Sequence, residues 1–263
     1  MKNLSKLCFA STLGMAMIFG LVGCGDTSST ESDKTPIAYN EATTPHYDVV
    51  KRSEKAALDG KLDDEVWSSI PSISGGFHFP WEAKEAPITE FKGYNDGESF
   101  YFSFKVIDKD VLVDKEWKDD ESTVDNEDRA ELFFAGGAID KPTTEGMPLY
   151  YGVEIDPKGR VHDYSIEYYR DFDSKWNLDG LETKGITTDA GYDIEGKIPL
   201  ESLKKLKLIN NNVMRVGVYR AEFSSPEKEG KDPIMEWISW VDPKTEAPDY
   251  HVNSSFGEFR FLQ

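Results

Sequence analysis

The sequence predicts an all-β protein, an antiparallel β-sandwich of the jelly-roll type with one or two short helices. Three observations predict it: a hairpin with an aromatic face, roughly ten short strands at regular spacing, and very little helical periodicity. In the hairpin, Phe100, Phe102, Phe104 and Val106 alternate with residues of mixed character. This period of two places four large apolar side chains on one face, which a second sheet or a helix must cover.

The hairpin itself runs from Ile88 to Asp108 and turns at Asn95-Asp96-Gly97, residue types that tolerate positive φ. Further strands are expected at 47–50, 129–134, 150–155, 160–168, 192–198, 215–223, 234–241 and 256–262. Asp156-Pro157-Lys158-Gly159 predicts a turn in which glycine takes the left-handed position. The one convincing helix should begin at Pro199 and continue to Leu206.

Residues 1–23 have the layout of a secretory signal, with basic Lys2 and Lys6 before an apolar stretch. The stretch closes with Leu21-Val22-Gly23-Cys24, which resembles the lipobox of bacterial lipoproteins, where the cysteine becomes the lipidated first residue. A plain transmembrane anchor is the alternative, but the apolar segment is short and rich in glycine for a bilayer core of ~30 Å. We therefore expect lipidation of Cys24.

Residues 24–46 are rich in Ser, Thr, Asp, Glu and Pro and should form a disordered tether between the lipid and the domain at 47–263. Gly25 stands where an aspartate would resemble the inner-membrane retention signal. We therefore expect a lipid-anchored protein of the bacterial cell envelope, at the outer membrane.

Composition excludes several classes of site. The net charge is −19, and removal of Lys2 and Lys6 leaves 28 basic residues against 49 acidic ones. Nucleic acid needs a basic footprint, so it is not an expected partner, and the membrane should be reached through the lipid alone. The only cysteines are Cys8 and Cys24. The mature domain thus has no disulfide, no thiolate metal site and no cysteine nucleophile.

Charged residues inside segments with the alternating pattern of β-strands are the first indication of function. Arg129, Glu131, Glu154, Arg220 and Glu222 lie at such positions. Arginine and glutamate among aromatic residues can bond the planar array of hydroxyls that a sugar presents, while its C–H faces stack on aromatic rings. The alternative interpretation is a set of cross-strand ion pairs with no ligand.

Each of three tryptophans could pack in the protein or bind a ligand. Trp67 follows a short acidic helix start and is expected in the core. Trp81 ends the loop Gly75–Trp81, whose composition is typical of a binding loop and leaves the ring either packed or exposed. Trp117 lies among ten carboxylates between Asp108 and Asp128. These could hold Ca²⁺, but their spacing matches no EF-hand, and a solvated acidic loop is favoured.

An ordered series of short motifs adds a resemblance. They are Leu58-Asp59-Gly60-Lys61-Leu62-Asp63 with Trp67, Tyr94-Asn95-Asp96 before Phe100-Tyr101-Phe102, Asp128-Arg129-Ala130-Glu131-Leu132-Phe133, Glu154-Ile155-Asp156-Pro157-Lys158-Gly159, Tyr192-Asp193-Ile194-Glu195 with Ile198-Pro199, Ser239-Trp240, and Phe256-Gly257 with Phe261. The series resembles the family 9 carbohydrate-binding modules, which belong to the DOMON-like β-sandwiches. It covers residues 47–263.

The resemblance implies non-catalytic binding of sugar ends between two aromatic rings, often with calcium. By position it implies that Glu131 is a polar contact, that Glu154 and Arg220 lie on strands that bond the sugar, and that Tyr250 is the second stacking ring. The first stacking tryptophan falls near Asp125, so Trp117 or Trp81 would have to replace it. Arg129, beside Glu131, completes the predicted carbohydrate site.

Three other functions stay open. A glycoside hydrolase needs paired carboxylates, which 49 acidic residues supply by chance, and neither a Gly-x-Ser-x-Gly elbow nor a metal-ligand spacing of histidines is present. A haem domain would use Met147, Met214 or Met235, residues that more commonly fill cores. The main alternative is a scaffold or protein-interaction sandwich without a working sugar site, which the missing tryptophan supports.

Overall fold

The computed structural model describes residues 44–136, 149–167, 170–225 and 233–263. The predicted signal segment at 1–23, the lipidation site Cys24 and the tether as far as residue 43 lie outside the described residues. Among the described residues no helix has the length and apolar character needed to cross a membrane.

Thirteen strands and two short helices make up the described chain. The strands are β1 (His46–Lys51), β2 (Ser72–Ser74), β3 (Thr89–Asn95), β4 (Ser99–Ile107), β5 (Arg129–Ala135), β6 (Leu149–Ile155), β7 (Val161–Glu167), β8 (Asp171–Asp173), β9 (Glu182–Thr188), β10 (Gly191–Pro199), β11 (Val213–Ser224), β12 (Ile234–Ser239) and β13 (Gly257–Phe261). The helices are α1 (Glu65–Ser68) and α2 (Leu200–Lys205). The all-β prediction is confirmed, and α2 follows Pro199 as expected.

Two sheets share one continuous path of hydrogen-bonded strands. The order along the path is β8-β7-β6-β5-β11-β13-β1-β3-β4-β10-β9, with β12 beside β11 and β2 beside β3. The first sheet, from β8 to β13 with β12, is called sheet A, and the second, from β3 to β9 with β2, is called sheet B. Strand β1 joins them, because residues 46–49 pair with β13 and residues 50–51 pair with β3.

Strand β1 departs from the antiparallel pairing of the predicted sandwich. This strand is parallel to both β13 and β3, whereas every other strand pair is antiparallel among the described residues. Parallel neighbours need a long connection between them. The chain provides one in each case, because β1 opens the domain and pairs with the last strand and with the first long hairpin.

The main core lies between the inner faces of the two sheets. Phe100, Phe102, Phe104 and Val106 of β4 all join it, as their alternation predicts. Phe259 of sheet A meets the hairpin rings directly, with its ring centroid 5.3 Å from that of Phe91 and 5.9 Å from that of Phe100. Contacts of this kind cover the aromatic face that the hairpin could not bury alone.

A smaller cluster covers the outer face of the hairpin. Trp67 from α1 is 1% exposed and packs edge to face on Tyr94, with ring centroids 5.3 Å apart, so its predicted core position is confirmed. Its indole Nε1 donates to Glu195 Oε1 at 2.8 Å, and the other oxygen of Glu195 accepts from the backbone N–H of Gly60 at 2.9 Å. This carboxylate therefore anchors the first loop of the domain to β10.

The predicted turn at 156–159 is present and packs tightly. Gly159 has φ +75°, the left-handed conformation that glycine adopts without a steric penalty. A Cβ atom at this position would collide with the backbone of β9, because it would lie 2.6 Å from the carbonyl carbon of Lys184 and still closer to the nitrogen of Gly185. Gly97 in the hairpin also has positive φ, at +94°, but there a Cβ would meet only the end of Lys51 at 3.6 Å.

These two glycines form a matched pair for a stability test. We expect Gly97→Ala to lower the free energy of unfolding by about 1 kcal/mol, the cost of a left-handed alanine. Gly159→Ala should cost at least about twice as much, since it also forces β9 away from the turn. Urea unfolding monitored by circular dichroism measures both values. Equal losses in the two variants would show that the close packing of Gly159 on β9 contributes nothing.

Candidate functional site

The outer face of sheet A carries a row of directly opposed residues. Tyr219 of β11 faces Glu131 of β5, Glu131 faces Glu154 of β6, and Glu154 faces His162 of β7. The order arises because Ala130, Leu132 and Phe134 point into the main core, so the alternate residues of β5 point outward. Because the four strands pair in this register, polar side chains from all four lie in one line across the sheet.

Glycines in the next row make room for flat aromatic rings. Gly217 and Gly152 flank Phe133 on the neighbouring strands. A Cβ on Gly152 would lie 2.6 Å from the Cζ atom of Tyr164, and a Cβ on Gly217 would overlap the ring of Tyr219. Both tyrosine rings therefore lie across the sheet surface. Tyr164 uses this position to donate its hydroxyl to Glu154 Oε1 at 2.6 Å.

Arg129 is a buried cation on this face. Its Nε lies 2.7 Å from Glu131 Oε1 and 3.0 Å from Glu154 Oε2, and its Nη1 donates to the carbonyl of Val124 at 3.0 Å. Nε carries a single hydrogen, and this points to Glu131. Burial raises the pKa of Glu131 to about 7, with Arg129 opposing the rise and Glu154 adding to it. Two carboxylates thus share one guanidinium in a largely water-free setting.

Arg129 and Glu131 form the floor of a concave site that we call the aromatic cleft. The cleft encloses about 190 Å³. Its lining residues are Trp81, Arg129, Glu131, Phe133, Arg170, Trp237, Pro248, Asp249, Tyr250 and His251. Four of the seven predicted carbohydrate-site residues, Trp81, Arg129, Glu131 and Tyr250, therefore meet in one place. Glu154 lies just beyond the lining, as the second partner of Arg129.

Aromatic rings make the walls of the cleft. Tyr250 stacks on Tyr219 with ring centroids 4.1 Å apart, and it contacts Trp81 at 5.5 Å and Trp237 at 5.7 Å. Tyr250 is only 5% exposed, whereas both tryptophans are half-buried. The Trp81 indole is fixed by donation from Nε1 to the carbonyl of Thr245 at 3.0 Å. Tyr250 thus supports the walls from beneath, and the tryptophans provide the accessible ring surface.

The rim of the cleft is polar. Arg170 Nη2 lies 3.1 Å from Asp249 Oδ1 at the open side. His251 packs on Phe133 with ring centroids 5.2 Å apart, and its Nδ1 lies 2.9 Å from the hydroxyl of Tyr150. Burial, assisted by the charge of Arg170, lowers the pKa of His251 to about 4. His251 is therefore a neutral hydrogen-bonding group at physiological pH.

The structure does not bring Trp117 and Arg220 to the aromatic cleft. Trp117 lies against Arg160, whose guanidinium is 4.7 Å from the ring centroid, next to the turn after β6. Arg220 follows the parity of Val216 and Val218, two residues of the main core, so it points between the sheets. There it is completely buried and donates to Thr89 Oγ1 and to the carbonyl of Ile107, both at 3.3 Å.

Arg220 is the centre of a buried acidic cluster on this inner side. Asp108, Asp128 and Glu222 each bring an oxygen within 4.8 Å of the others, with Glu222 bonded to Arg220 Nη2 and Asp108 Oδ2 3.8 Å from the same atom. Burial is the main cause that raises the pKa of Asp128 to about 8 and that of Glu222 to about 7. The expectation of a solvated acidic loop is thus wrong for Asp108, Glu127 and Asp128, which are buried.

Calcium, which the sequence resemblance implies, does not suit this cluster. Both oxygens of Asp128 already accept backbone N–H groups, from Phe223 at 2.7 Å and from Leu112 at 2.6 Å. The guanidinium of Arg220 is bonded to Glu222 and lies near Asp108, and it supplies a neutralising positive charge. Ca²⁺ takes six to eight oxygen ligands, and a second cation here would be repelled by the adjacent guanidinium.

Several residues of the cleft are absent from the sequence-based prediction. Trp237 had a usable signal, because its neighbour Ile238 in β12 belongs to the main core and the ring must face the other way. Phe133 shares the face of Arg129 and Glu131 and could have been included with them. Arg170, Asp249 and His251 lie outside regular strands, where no periodicity indicates direction.

With the geometry known, comparison with protein families decides the identity. A family model described as carbohydrate family 9 binding domain-like matches residues 58–262. The chain belongs to this family. A search of curated proteins gives no significant match.

Solved structures of carbohydrate-binding proteins have the same fold as this chain. A Bacteroides uniformis protein proposed to bind carbohydrate superposes with a TM-score of 0.58 at 17% identity, covering 84% of this chain and all of the other. A family 9 module of Caldicellulosiruptor kristjanssonii in complex with glucose gives 0.53 at 18% identity over 83% and 96% of the chains. Its cellotriose complex gives 0.55 at 17% over 82% and 93%.

The Arg220 cluster predicts how stability depends on pH. The pKa values of Asp128 and Glu222 are raised in the folded state, so their neutral forms stabilise the fold. This contribution is complete below the unfolded pKa values near 4 and is lost as the pH rises through 7 to 8. We expect the free energy of unfolding to fall between pH 5 and pH 8, by on the order of 1 kcal/mol per pH unit.

Urea unfolding at four pH values within this window measures the slope. Glu222→Gln should make the slope shallower, because the amide cannot ionise and its oxygen still accepts from Arg220. Glu201→Gln, an exposed substitution on α2, should leave the slope unchanged. Identical slopes in the wild type and Glu222→Gln would show that Glu222 does not contribute to the pH dependence of stability.

Proposed function

We propose that this protein binds oligosaccharide or polysaccharide in the aromatic cleft without cleaving it. The observation that supports this most strongly is the placement of two half-buried indole rings beside an ion-paired arginine and glutamate. A pyranose ring has apolar C–H faces and a girdle of hydroxyl groups. The cleft offers ring surface for the faces and charged hydrogen-bonding groups for the hydroxyls.

Arg129 and Glu131 have complementary roles towards a sugar. The guanidinium presents donors in a fixed plane, and Glu131 accepts hydrogen bonds when it is ionised. Their mutual ion pair prearranges both groups, so a ligand does not have to order flexible side chains on binding. Asp249 and His251 at the rim can bond hydroxyls further from the floor.

The cleft must widen for a sugar to lie between Trp81 and Tyr250. Their ring centroids are 5.5 Å apart, which is direct contact. A pyranose stacked on both would need two van der Waals separations of roughly 3.5–4.0 Å each. A sugar can instead use the open surfaces of Trp81 and Trp237 over the polar floor. We therefore assign the stacking role to the two tryptophans and the supporting role to Tyr250.

Related structures suggest the ligand class. The C. kristjanssonii module was solved with glucose and with cellotriose. Gluco-oligosaccharides are therefore our first candidates, with the sugar end lying over Arg129 and Glu131.

The carboxylate geometry supports binding rather than hydrolysis. A glycosidase places its two carboxyl groups on opposite sides of the scissile bond, about 5–5.5 Å or 6.5–9.5 Å apart. Glu131 and Glu154 instead lie side by side on one sheet and share the Nε of Arg129. A sugar cannot pass between them, so we infer that they position a ligand and do not attack it.

We also propose a cellular location for the protein. The lipobox-like tetrad before Cys24 and the polar stretch that follows it suggest that the domain is tethered to the cell envelope, at the outer membrane. Such an anchor would hold a sugar-binding domain close to the glycans that the cell takes up.

The sugar site is tested by removing its rings. Trp237→Ala and Trp81→Ala should each weaken cellotriose binding roughly tenfold or more, measured by isothermal titration calorimetry, because each deletes a stacking surface at the centre of the site. Trp117→Ala is the matched control, since Trp117 packs on Arg160 outside the cleft. It should change the affinity less than about twofold.

Three outcomes would contradict the proposal. Loss of binding in Trp117→Ala with retention in both cleft variants would place the sugar elsewhere. Absence of binding to any glucan, xylan or host glycan on an array would favour the scaffold function. New reducing ends released from oligosaccharides during the titrations would contradict the non-catalytic assignment.

The anchor is tested separately. In a bacterial host, the wild type should incorporate radiolabelled palmitate and sediment with the outer-membrane fraction. Cys24→Ser should abolish labelling, because the thiol that carries the lipid is absent. Labelling that persists in Cys24→Ser would show that Cys24 is not the lipidated residue. Fractionation of the wild type with the inner membrane would contradict the outer-membrane location.

A further inference from the structure

A second cluster of polar side chains lies one strand beyond Arg129, at the end of the cross-strand row. Asp125, Glu154 and His162 each bring one ligand atom into a space where all three atoms are within 4.8 Å of one another. His162 Nδ1 is 3.7 Å from Asp125 Oδ1. Two ligands of one tetrahedral zinc ion are roughly 3.3–3.6 Å apart, given bonds of about 2.0–2.2 Å. Small side-chain adjustments would therefore bring this set onto one ion.

The buried members of the cluster lack the hydrogen bonds that buried polar groups normally make. His162 is 9% exposed, and neither of its ring nitrogens has a hydrogen-bond partner. Glu154 Oε2 accepts no hydrogen bond either, because the single hydrogen on Arg129 Nε points to Glu131; its contact with Nε, at 3.0 Å, is an ion pair alone. Each such buried atom costs free energy unless something bonds it. A metal ion between His162 and Glu154 would satisfy both residues at once.

The surroundings orient the ligands and add negative charge. Tyr164 fixes the Glu154 carboxylate by donating to Oε1, as second partners of metal ligands commonly do. Asp125 is more than half exposed and can turn towards an ion. Glu121 has a buried Oε2 without a hydrogen-bond partner. It acts electrostatically on His162 and could serve as a further oxygen ligand.

We propose that Asp125, Glu154 and His162 form a binding site for a divalent first-row transition ion, with zinc the best fit. The imidazole nitrogen decides the class, because Zn²⁺ and its neighbours favour mixed nitrogen and oxygen ligands whereas Ca²⁺ and Mg²⁺ favour oxygen alone. The histidine and its two carboxylates come from separate segments, so the site exists only in the folded chain. It does not depend on the proposed sugar binding.

The competing explanation is a protonated His162 held by Asp125 as a simple ion pair. Such a pair would bond at most one ring nitrogen of His162 and would leave the other without a hydrogen-bond partner. The buried cluster of Asp108, Asp128 and Glu222 differs, because it offers carboxylate oxygens alone and no nitrogen ligand. Only the His162 cluster combines a nitrogen ligand with unbonded carboxylate oxygens among the described residues.

Calorimetric titration of the full-length, tag-free protein with ZnCl₂ at pH 7.5 tests the site. We expect one ion per chain with micromolar or tighter affinity. Asp125→Asn and His162→Ala should each weaken zinc binding about tenfold or more, as loss of a ligand does. Asp125 is exposed, so its variant keeps the test valid even if His162→Ala does not fold. His78→Ala, in a loop outside the cluster, should bind zinc as the wild type does.

Parallel titrations with CaCl₂ separate the two metal classes. Binding of calcium at this site with an affinity equal to that of zinc would overturn the nitrogen-ligand assignment. Absence of heat with zinc, or zinc binding unaffected by Asp125→Asn, would overturn the site itself. A zinc response lost in His78→Ala would assign the ion to another histidine.

Discussion

The buried ion pair of Arg129 with Glu131 and Glu154 is the interaction on which the outer face of sheet A depends. Removing one partner of such a buried pair typically costs about 3–5 kcal/mol, because an uncompensated charge remains. The glycines beneath Tyr164 and Tyr219 and the hydroxyl donated to Glu154 all serve to complete this arrangement. Arg129 also bonds the carbonyl of Val124 and so attaches the preceding loop to the sheet.

The sandwich separates two kinds of chemistry by strand alternation. Inward residues of sheet A build the apolar core, while outward residues of the same strands build the aromatic cleft and the adjoining His162 cluster. Each side has its own buried arginine with two or more carboxylates, Arg220 inside and Arg129 outside. The inner group ties the sheets together through Thr89 and Ile107. The outer group lies at the bottom of an open cleft, where a ligand can reach it.

Much of this could be predicted from the sequence where periodicity applies. The aromatic hairpin, the two faces of β5, the Gly159 turn and the helix after Pro199 all follow from spacing and residue type. Arg220 shows how the same rule can be missed, since its parity with Val216 and Val218 already places it on the core side. Its charge suggested a surface position, but buried carboxylates compensate the guanidinium inside.

Other features could not be predicted because no local rule determines them. Trp117 and Trp81 both lie in loops, and only the folded chain shows that one covers Arg160 and the other reaches Tyr250. The His162 cluster joins residues from three segments with no characteristic spacing. The parallel pairing of β1 depends on the closing strand at the other end of the domain.

In the proposed complex, sugar lies over Arg129 and Glu131 between the cleft tryptophans. A crystal structure of the protein grown with cellotriose tests this most directly. We expect a glucosyl ring against Trp81 or Trp237, with hydroxyls within hydrogen-bonding distance of Arg129 and Glu131. Sugar bound on any other surface, or an empty cleft at saturating cellotriose, would contradict it.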